Sequence, residues 1–135
     1  MKAQLAVKTI PVLIDTCAWI DFLRNTQGGL GNQVAALIAD KRARLCGVVI
    51  AELLQGIRHV SDGRSSKEAQ ALALLIQRVP SLATHEDDWV AAGNLVSKLR
   101  TQGLTVSLSD ALIASIATRN QVTVLTIDKL FEHLM

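Results

Sequence analysis

Residues 11–25 read Pro11-Val12-Leu13-Ile14-Asp15-Thr16-Cys17-Ala18-Trp19-Ile20-Asp21-Phe22-Leu23-Arg24-Asn25. A proline opens a short apolar run with β-branched residues, which predicts a buried strand ending at Asp15. Residues 17–25 follow with a helical pattern. The pair is a strand–helix unit, and a strand covered on both faces belongs to a mainly parallel sheet.

Working outward, the same unit recurs. Gln27-Gly28-Gly29 is a loop, residues 30–42 read as an amphipathic helix, and Arg44–Val48 as a second strand. The strand runs into a helix carrying Ile50, Leu53, Leu54 and Ile57. After a break at Ser61-Asp62-Gly63, residues 65–78 predict a helix with Leu72, Leu75 and Ile76 on one side. Ser81–Thr84 follows Pro80 as a short strand. Residues 86–102 predict a long helix whose polarity suits its dipole, with Glu86, Asp87 and Asp88 first and Lys98 and Arg100 last; Gly103 closes it. A helix from Ser109 to about Arg119, a strand at Val122–Thr126 and a helix starting near Asp128 complete the reading. Alternating strands and helices imply an α/β fold with helices covering the sheet, in a single domain spanning 1–135.

Composition narrows the function. Half the chain is apolar, but it holds only two Phe, two Trp and no Tyr. A module that stacks bases on aromatic side chains is therefore disfavoured. The net charge is +2. Setting four carboxylates aside for a site leaves a distinctly basic remainder that tolerates a polyanion. The densest basic run, Asp40-Lys41-Arg42-Ala43-Arg44, reads as a solvated helix end. Cys17 and Cys46 stand apart with no metal-ligand spacing and read as free buried thiols of a cytoplasmic protein. Met1–Lys8 lacks the apolar core of a signal peptide, and no run is long enough to span a membrane.

Ligands of open α/β sheets bind beyond the carboxyl ends of the strands. There, four acids recur: Asp15 after the first strand, Glu52 in the helix after the second, Asp110 after the Thr105-Val106 segment, and Asp128 after Val122–Thr126. Their neighbours are apolar, as in Leu13-Ile14-Asp15 and Asp110-Ala111-Leu112-Ile113-Ala114. A bare carboxylate is costly to bury, and no matching set of basic residues lies beside these four. Helix capping accounts for Asp110 and Asp128 singly, but less well for Glu52. A divalent cation with hard oxygen ligands accounts for all four.

Other chemistries fit worse. His59, His85 and His133 are scattered, no Gly-rich phosphate loop occurs, and no positioned nucleophile–histidine pair is visible. A dehalogenase-like nucleophile motif wants an acid where Cys17 stands, and a receiver domain wants paired acids early in the chain. Asp87 and Asp88 read as helix-start charges and Asp21 as an exposed helical position.

Four segments, in order, carry a family resemblance. They are Val12-Leu13-Ile14-Asp15-Thr16, Ala51-Glu52-Leu53-Leu54-Gln55-Gly56, Ser109-Asp110-Ala111-Leu112-Ile113-Ala114 and Leu125-Thr126-Ile127-Asp128-Lys129-Leu130-Phe131. Each is weak alone; together they resemble PIN-domain ribonucleases, specifically VapC-type toxins of toxin–antitoxin pairs. The resemblance implies an α/β/α sandwich with a mainly parallel sheet of four to five strands, the first strand central. It implies Asp15, Glu52, Asp110 and Asp128 as an acidic quartet holding Mg2+ or Mn2+, Thr126 as a hydroxyl helper and Thr16 as a weaker one. It implies RNA as substrate, a homodimer, and a VapB-type antitoxin as partner. The cations would offset the charge of the phosphodiester, activate a water and stabilise an in-line displacement, leaving a 5′-phosphate and a 3′-hydroxyl. Relatives often carry a further edge strand past the last helix, which is expected to be missing or very short before Met135. Two rivals stand beside the toxin: a housekeeping RNA-processing PIN nuclease, and a non-catalytic PIN-like binding module. The presence of all four acids disfavours the second, and the short chain with no appended RNA-binding module disfavours the first.

Overall fold

Val12, Leu13 and Ile14 are all buried, and they form β1 (Val12–Ile14). The computed structural model of the chain describes residues 10–58 and 63–135. From β1 the chain runs through α1 (Thr16–Arg24) and α2 (Gly31–Ala39) to β2 (Ala43–Cys46). It continues through α3 (Gly47–Arg58), α4 (Gly63–Arg78), β3 (Ser81–Leu82), α5 (Glu86–Thr101) and α6 (Leu108–Asn120). β4 (Thr123–Leu125) and the single-turn α7 (Phe131–Leu134) follow. The expectations for Met1–Lys8, for His59 and for Ser61-Asp62 lie outside the described residues.

The strands order as β3-β2-β1-β4, and every pairing is parallel. Val12 sits between Ala43 of β2 and Thr123 of β4, so β1 is flanked on both sides. Parallel neighbours need crossover connections, usually helical, and the helices between the strands supply them. The expected α/β class, with a mainly parallel sheet of four to five strands, is the observed one, with four parallel strands among the described residues.

The core explains why α6 is central. All seven residues from Ala111 to Ala117 are buried. A helix apolar all round has no face to offer water and must be enclosed. It joins Leu13, Ile14, Trp19, Leu45, Val49 and Leu72, none more than a trace exposed. Each such aliphatic side chain contributes about 1.5–3 kcal/mol on burial.

Four local expectations differ. β2 starts one residue and ends two residues early, because Gly47 already begins α3. Thr105-Val106 is not a strand: Val106 is buried, but the segment has no pairing neighbour among the described strands. The basic run starts at the end of α2, with Asp40 its C-cap, but most of it forms the turn into β2 and the start of that strand. There Arg42 Nε donates to Ile10 O, and an Arg44 guanidinium N–H donates to the Lys41 and Ala43 carbonyls, which fastens the turn into β2. Asp21 is half-buried rather than exposed and accepts the Leu30 N–H at 3.0 Å. A Cβ at Gly29 would collide with that carboxylate, so a larger residue there would have to displace the Asp21 side chain.

Asp88 departs furthest from its expected role as a dipole charge. It is 2% exposed. Its carboxylate accepts the His85 N–H at 2.8 Å and two guanidinium N–H groups of Arg119 at 2.8 and 3.0 Å. Arg119 also donates to Ala83 O at 2.6 Å. The C-terminal turn of α6 is thereby tied to the start of α5.

Candidate metal centre at the carboxyl edge of the sheet

β1 and β4 place the first acid. The Asp15 N–H donates to Leu125 O at 3.0 Å, extending the ladder by one rung and bringing Asp15 beside Thr126. Asp15 is also the N-cap of α1, its Oδ1 accepting the Thr16 N–H at 2.8 Å. Its Oδ2 accepts from Thr126 Oγ1 at 2.7 Å and, more weakly, from the Cys17 thiol at 3.5 Å. At 6% exposure it is the most buried of the four acids. A carboxylate offers about four lone-pair positions, two on each oxygen, so Oδ1, with one donor, retains capacity for a cation.

The other three acids come from neighbouring elements. Glu52 lies in the second turn of α3, where its Oε1 accepts from Thr16 Oγ1 at 2.8 Å. Thr16 thus ties α1 to α3 across the site. Asp110 sits in the first turn of α6, but Ser107 caps that helix, its hydroxyl accepting the Asp110 N–H at 3.1 Å. The Asp110 carboxylate is not the cap. Asp128 donates its N–H to Thr126 Oγ1 at 3.0 Å and accepts the Leu130 N–H at 2.9 Å, folding the turn after β4. Thr126 is therefore a hub: it receives from one acid's backbone and gives to another acid's carboxylate.

The charges are felt across the group. Burial pushes the Glu52 carboxyl above its ordinary range; the Thr16 hydroxyl opposes this, while Asp110 and Asp15 add to it. Burial likewise raises Asp110, Ser107 opposes, and Asp15 and Asp128 add. The described ion pairs are Arg24–Glu68 and Arg119–Asp88, and neither reaches the quartet. Among the described residues, no three His, Cys, Asp or Glu side chains are gathered tightly enough to enclose an ion. Like charges oppose close approach, and separate hydroxyl or backbone donors hold Asp15, Glu52 and Asp128.

The donor set fits a hard divalent cation. It consists of carboxylate and hydroxyl oxygens, and its negative charge has no lysine or arginine partner among the described residues. All four sequence-derived acids and Thr126 lie in this one region. Sequence reasoning undervalued two neighbours. Thr16 bonds Glu52 directly, and Cys17, read only as a bland buried thiol, touches both Asp15 and Thr126, the latter at 3.6 Å. Burial, above all, raises the Cys17 thiol. No local pattern signals contacts that depend on pairing residues 15 and 126.

The PIN-domain family profile matches residues 12–134. A VapC ribonuclease of Mycobacterium bovis and Ribonuclease VapC11 of Mycobacterium tuberculosis are each 30% identical to the chain over 125 residues, covering 90% of it and 89% of the relative. The VapBC2 structure of Rickettsia felis, bound to a promoter DNA fragment, superposes with a TM-score of 0.75 at 19% identity, covering 93% of both chains. VapBC-1 of nontypeable Haemophilus influenzae gives 0.73 at 22% identity, covering 93% of this chain and 92% of that one. At such identities the structural likeness concerns the fold.

Proposed function

The chain belongs to the PIN-domain family, and from that premise we propose that it is a metal-dependent endoribonuclease acting as the toxin of a toxin–antitoxin pair. The observation that carries this reading is the acid quartet at the carboxyl edge of the sheet, oriented by two threonines and without a basic partner among the described residues. The relatives at 30% identity are named as VapC ribonucleases, and nucleases of this kind depend on a metal.

Asp15, Glu52, Asp110 and Asp128 hold Mg2+ or Mn2+ in this reading. When bound, such a cation supplies Lewis acidity and an activated water to phosphodiester hydrolysis. The chain's own part is positioning. Thr126 Oγ1–H fixes Asp15 Oδ2, and Thr16 Oγ1–H fixes Glu52 Oε1. These hydrogen bonds hold both carboxylates in one rotamer, as the partners behind metal ligands do elsewhere, so that Asp15 and Glu52 would be pre-oriented as ligands.

A VapB-type antitoxin is the partner that the VapBC structural neighbours suggest, and a homodimer through helices of residues 30–60 is the proposed assembly. Among the described residues no helix is long and apolar enough to cross a membrane, and a cytoplasmic location fits an RNA substrate.

The test is cleavage of single-stranded RNA by the purified protein with Mg2+ or Mn2+, with EDTA, and by Asp15→Asn. Cleavage that stops with EDTA and in the variant is expected. Cleavage indifferent to chelation overturns the metal mechanism, and none under any condition overturns the nuclease.

A further inference from the structure

Among the described residues, Asp15 accepts more side-chain hydrogen bonds than the other acids of the quartet. Oδ1 takes the Thr16 N–H at 2.8 Å, and Oδ2 takes both the Thr126 hydroxyl at 2.7 Å and the Cys17 thiol at 3.5 Å. The carboxylates of Glu52 and Asp128 each accept one. The thiol has a second neighbour, Thr126 Oγ1 at 3.6 Å. The single hydroxyl hydrogen of Thr126 is already given to Asp15, so Cys17 is the donor whichever oxygen it meets. Asp15 Oδ2 is the nearer acceptor, and a charged oxygen makes the stronger bond. The thiol hydrogen therefore goes to Asp15. Each carboxylate oxygen has two lone-pair positions. Both are taken on Oδ2, and one stays open on Oδ1.

We propose that Cys17 is a positioning residue that sets the ion preference of the site: by filling the second position on Oδ2, it leaves Asp15 to meet a cation through Oδ1 alone. The inference rests on the metal-site reading above. One oxygen per carboxylate suits Mg2+, which demands a near-ideal octahedron and keeps several waters, and Mn2+ is also at home among octahedral oxygen ligands. Ca2+ takes six to eight oxygens and gathers them readily by engaging both oxygens of a carboxylate. Asp15 is buried and anchored behind β1, so it cannot turn Oδ2 to an ion without giving up its donors. With the thiol gone, Thr126 still fills one position on Oδ2, but the other opens and two-oxygen ligation becomes available. Thr126 is a less selective probe of this effect, because its hydroxyl also holds the turn at Asp128.

The test is calorimetric titration of the full chain with Mn2+ and with Ca2+, in wild type, Cys17→Ala, Cys17→Val and Cys17→Ser, with thermal melting to confirm folding. Alanine and valine remove the donor and differ in bulk, so a misfit in one leaves the other readable. In both, the ratio of the Ca2+ to the Mn2+ dissociation constant should fall roughly tenfold, the lower end of what losing a hydrogen bond behind a metal ligand does to affinity. Serine restores a donor and should keep the wild-type ratio. A merely structural role for Cys17 would weaken both ions alike and leave the ratio unmoved. An unchanged ratio in alanine and valine, with both ions still bound, overturns the role of Cys17 and leaves the metal site standing. A serine variant as altered as alanine also overturns it, since the donor would then be irrelevant. Wild-type protein that binds neither ion overturns the metal reading and this inference with it.

Discussion

Thr126→Val is the sharpest probe of how the site is built. Valine has nearly the shape of threonine, so the change removes one hydroxyl and little else. That hydroxyl donates to Asp15 Oδ2 at 2.7 Å and accepts the Asp128 N–H at 3.0 Å. A hydrogen bond to a charged group contributes about 1.5–3 kcal/mol, and Asp15 is too buried for water to replace the donor. The metal-free protein should lose that much, a fall in Tm of roughly 5–15 °C for a chain of this size. Manganese-dependent cleavage should fall ~10–100-fold, as when a hydrogen bond behind a metal ligand is removed. Thr126→Ser keeps the hydroxyl and loses one methyl, about 0.8 kcal/mol at most. Thermal melting with and without Mn2+, and cleavage of a labelled RNA, read both variants. Equal losses in the valine and serine variants, or a wild-type Tm in Thr126→Val, would refute the reasoning.

Asp110→Asn should abolish cleavage while leaving the metal-free Tm unchanged or slightly raised, because it relieves repulsion from Asp15 and Asp128. The wild type should gain ~2.7 kcal/mol from Mn2+ at a hundredfold excess over Kd; the same gain in Asp110→Asn would place the cation elsewhere, and Asp87→Asn should behave as wild type throughout. Arg119 holds the Asp88 carboxyl below its usual range, so its contribution is complete above the unfolded value of ~4 and is lost as pH falls through the folded value. Asp88→Asn should therefore melt below wild type at pH 7, with the gap closing in acid; a gap constant down to about pH 2 would contradict the pairing. Light scattering at micromolar concentration should report a dimer, and a monomer would reject that assembly.

Legibility followed the range of the interactions. β1 and α6 could be read because burial on all sides leaves a local mark: three apolar residues in one case, seven enclosed positions in the other. The order of four acids could be read because Asp15 and Asp128 follow strands, Asp110 lies in the first turn of a helix, and Glu52 stands between apolar residues within one. Thr105-Val106 misled because a β-branched extended pair looks the same with or without a neighbouring strand. Asp87 and Asp88 were indistinguishable in the sequence, since what separates them is an arginine 31 residues away. The same holds at the site: nothing near Cys17 announces Thr126, whose contact depends on β4 pairing with β1.

That pairing has a consequence for synthesis. Asp15 and Thr126 are 111 residues apart, and β4, the last of the described strands, is the one that joins them. Long-range parallel pairing closes late, after the entropy of a large loop has been overcome. On the ribosome the first acid therefore emerges long before its partner hydroxyl exists. A nascent chain cannot hold Asp15 in its hydrogen-bonded rotamer until β4 has been made.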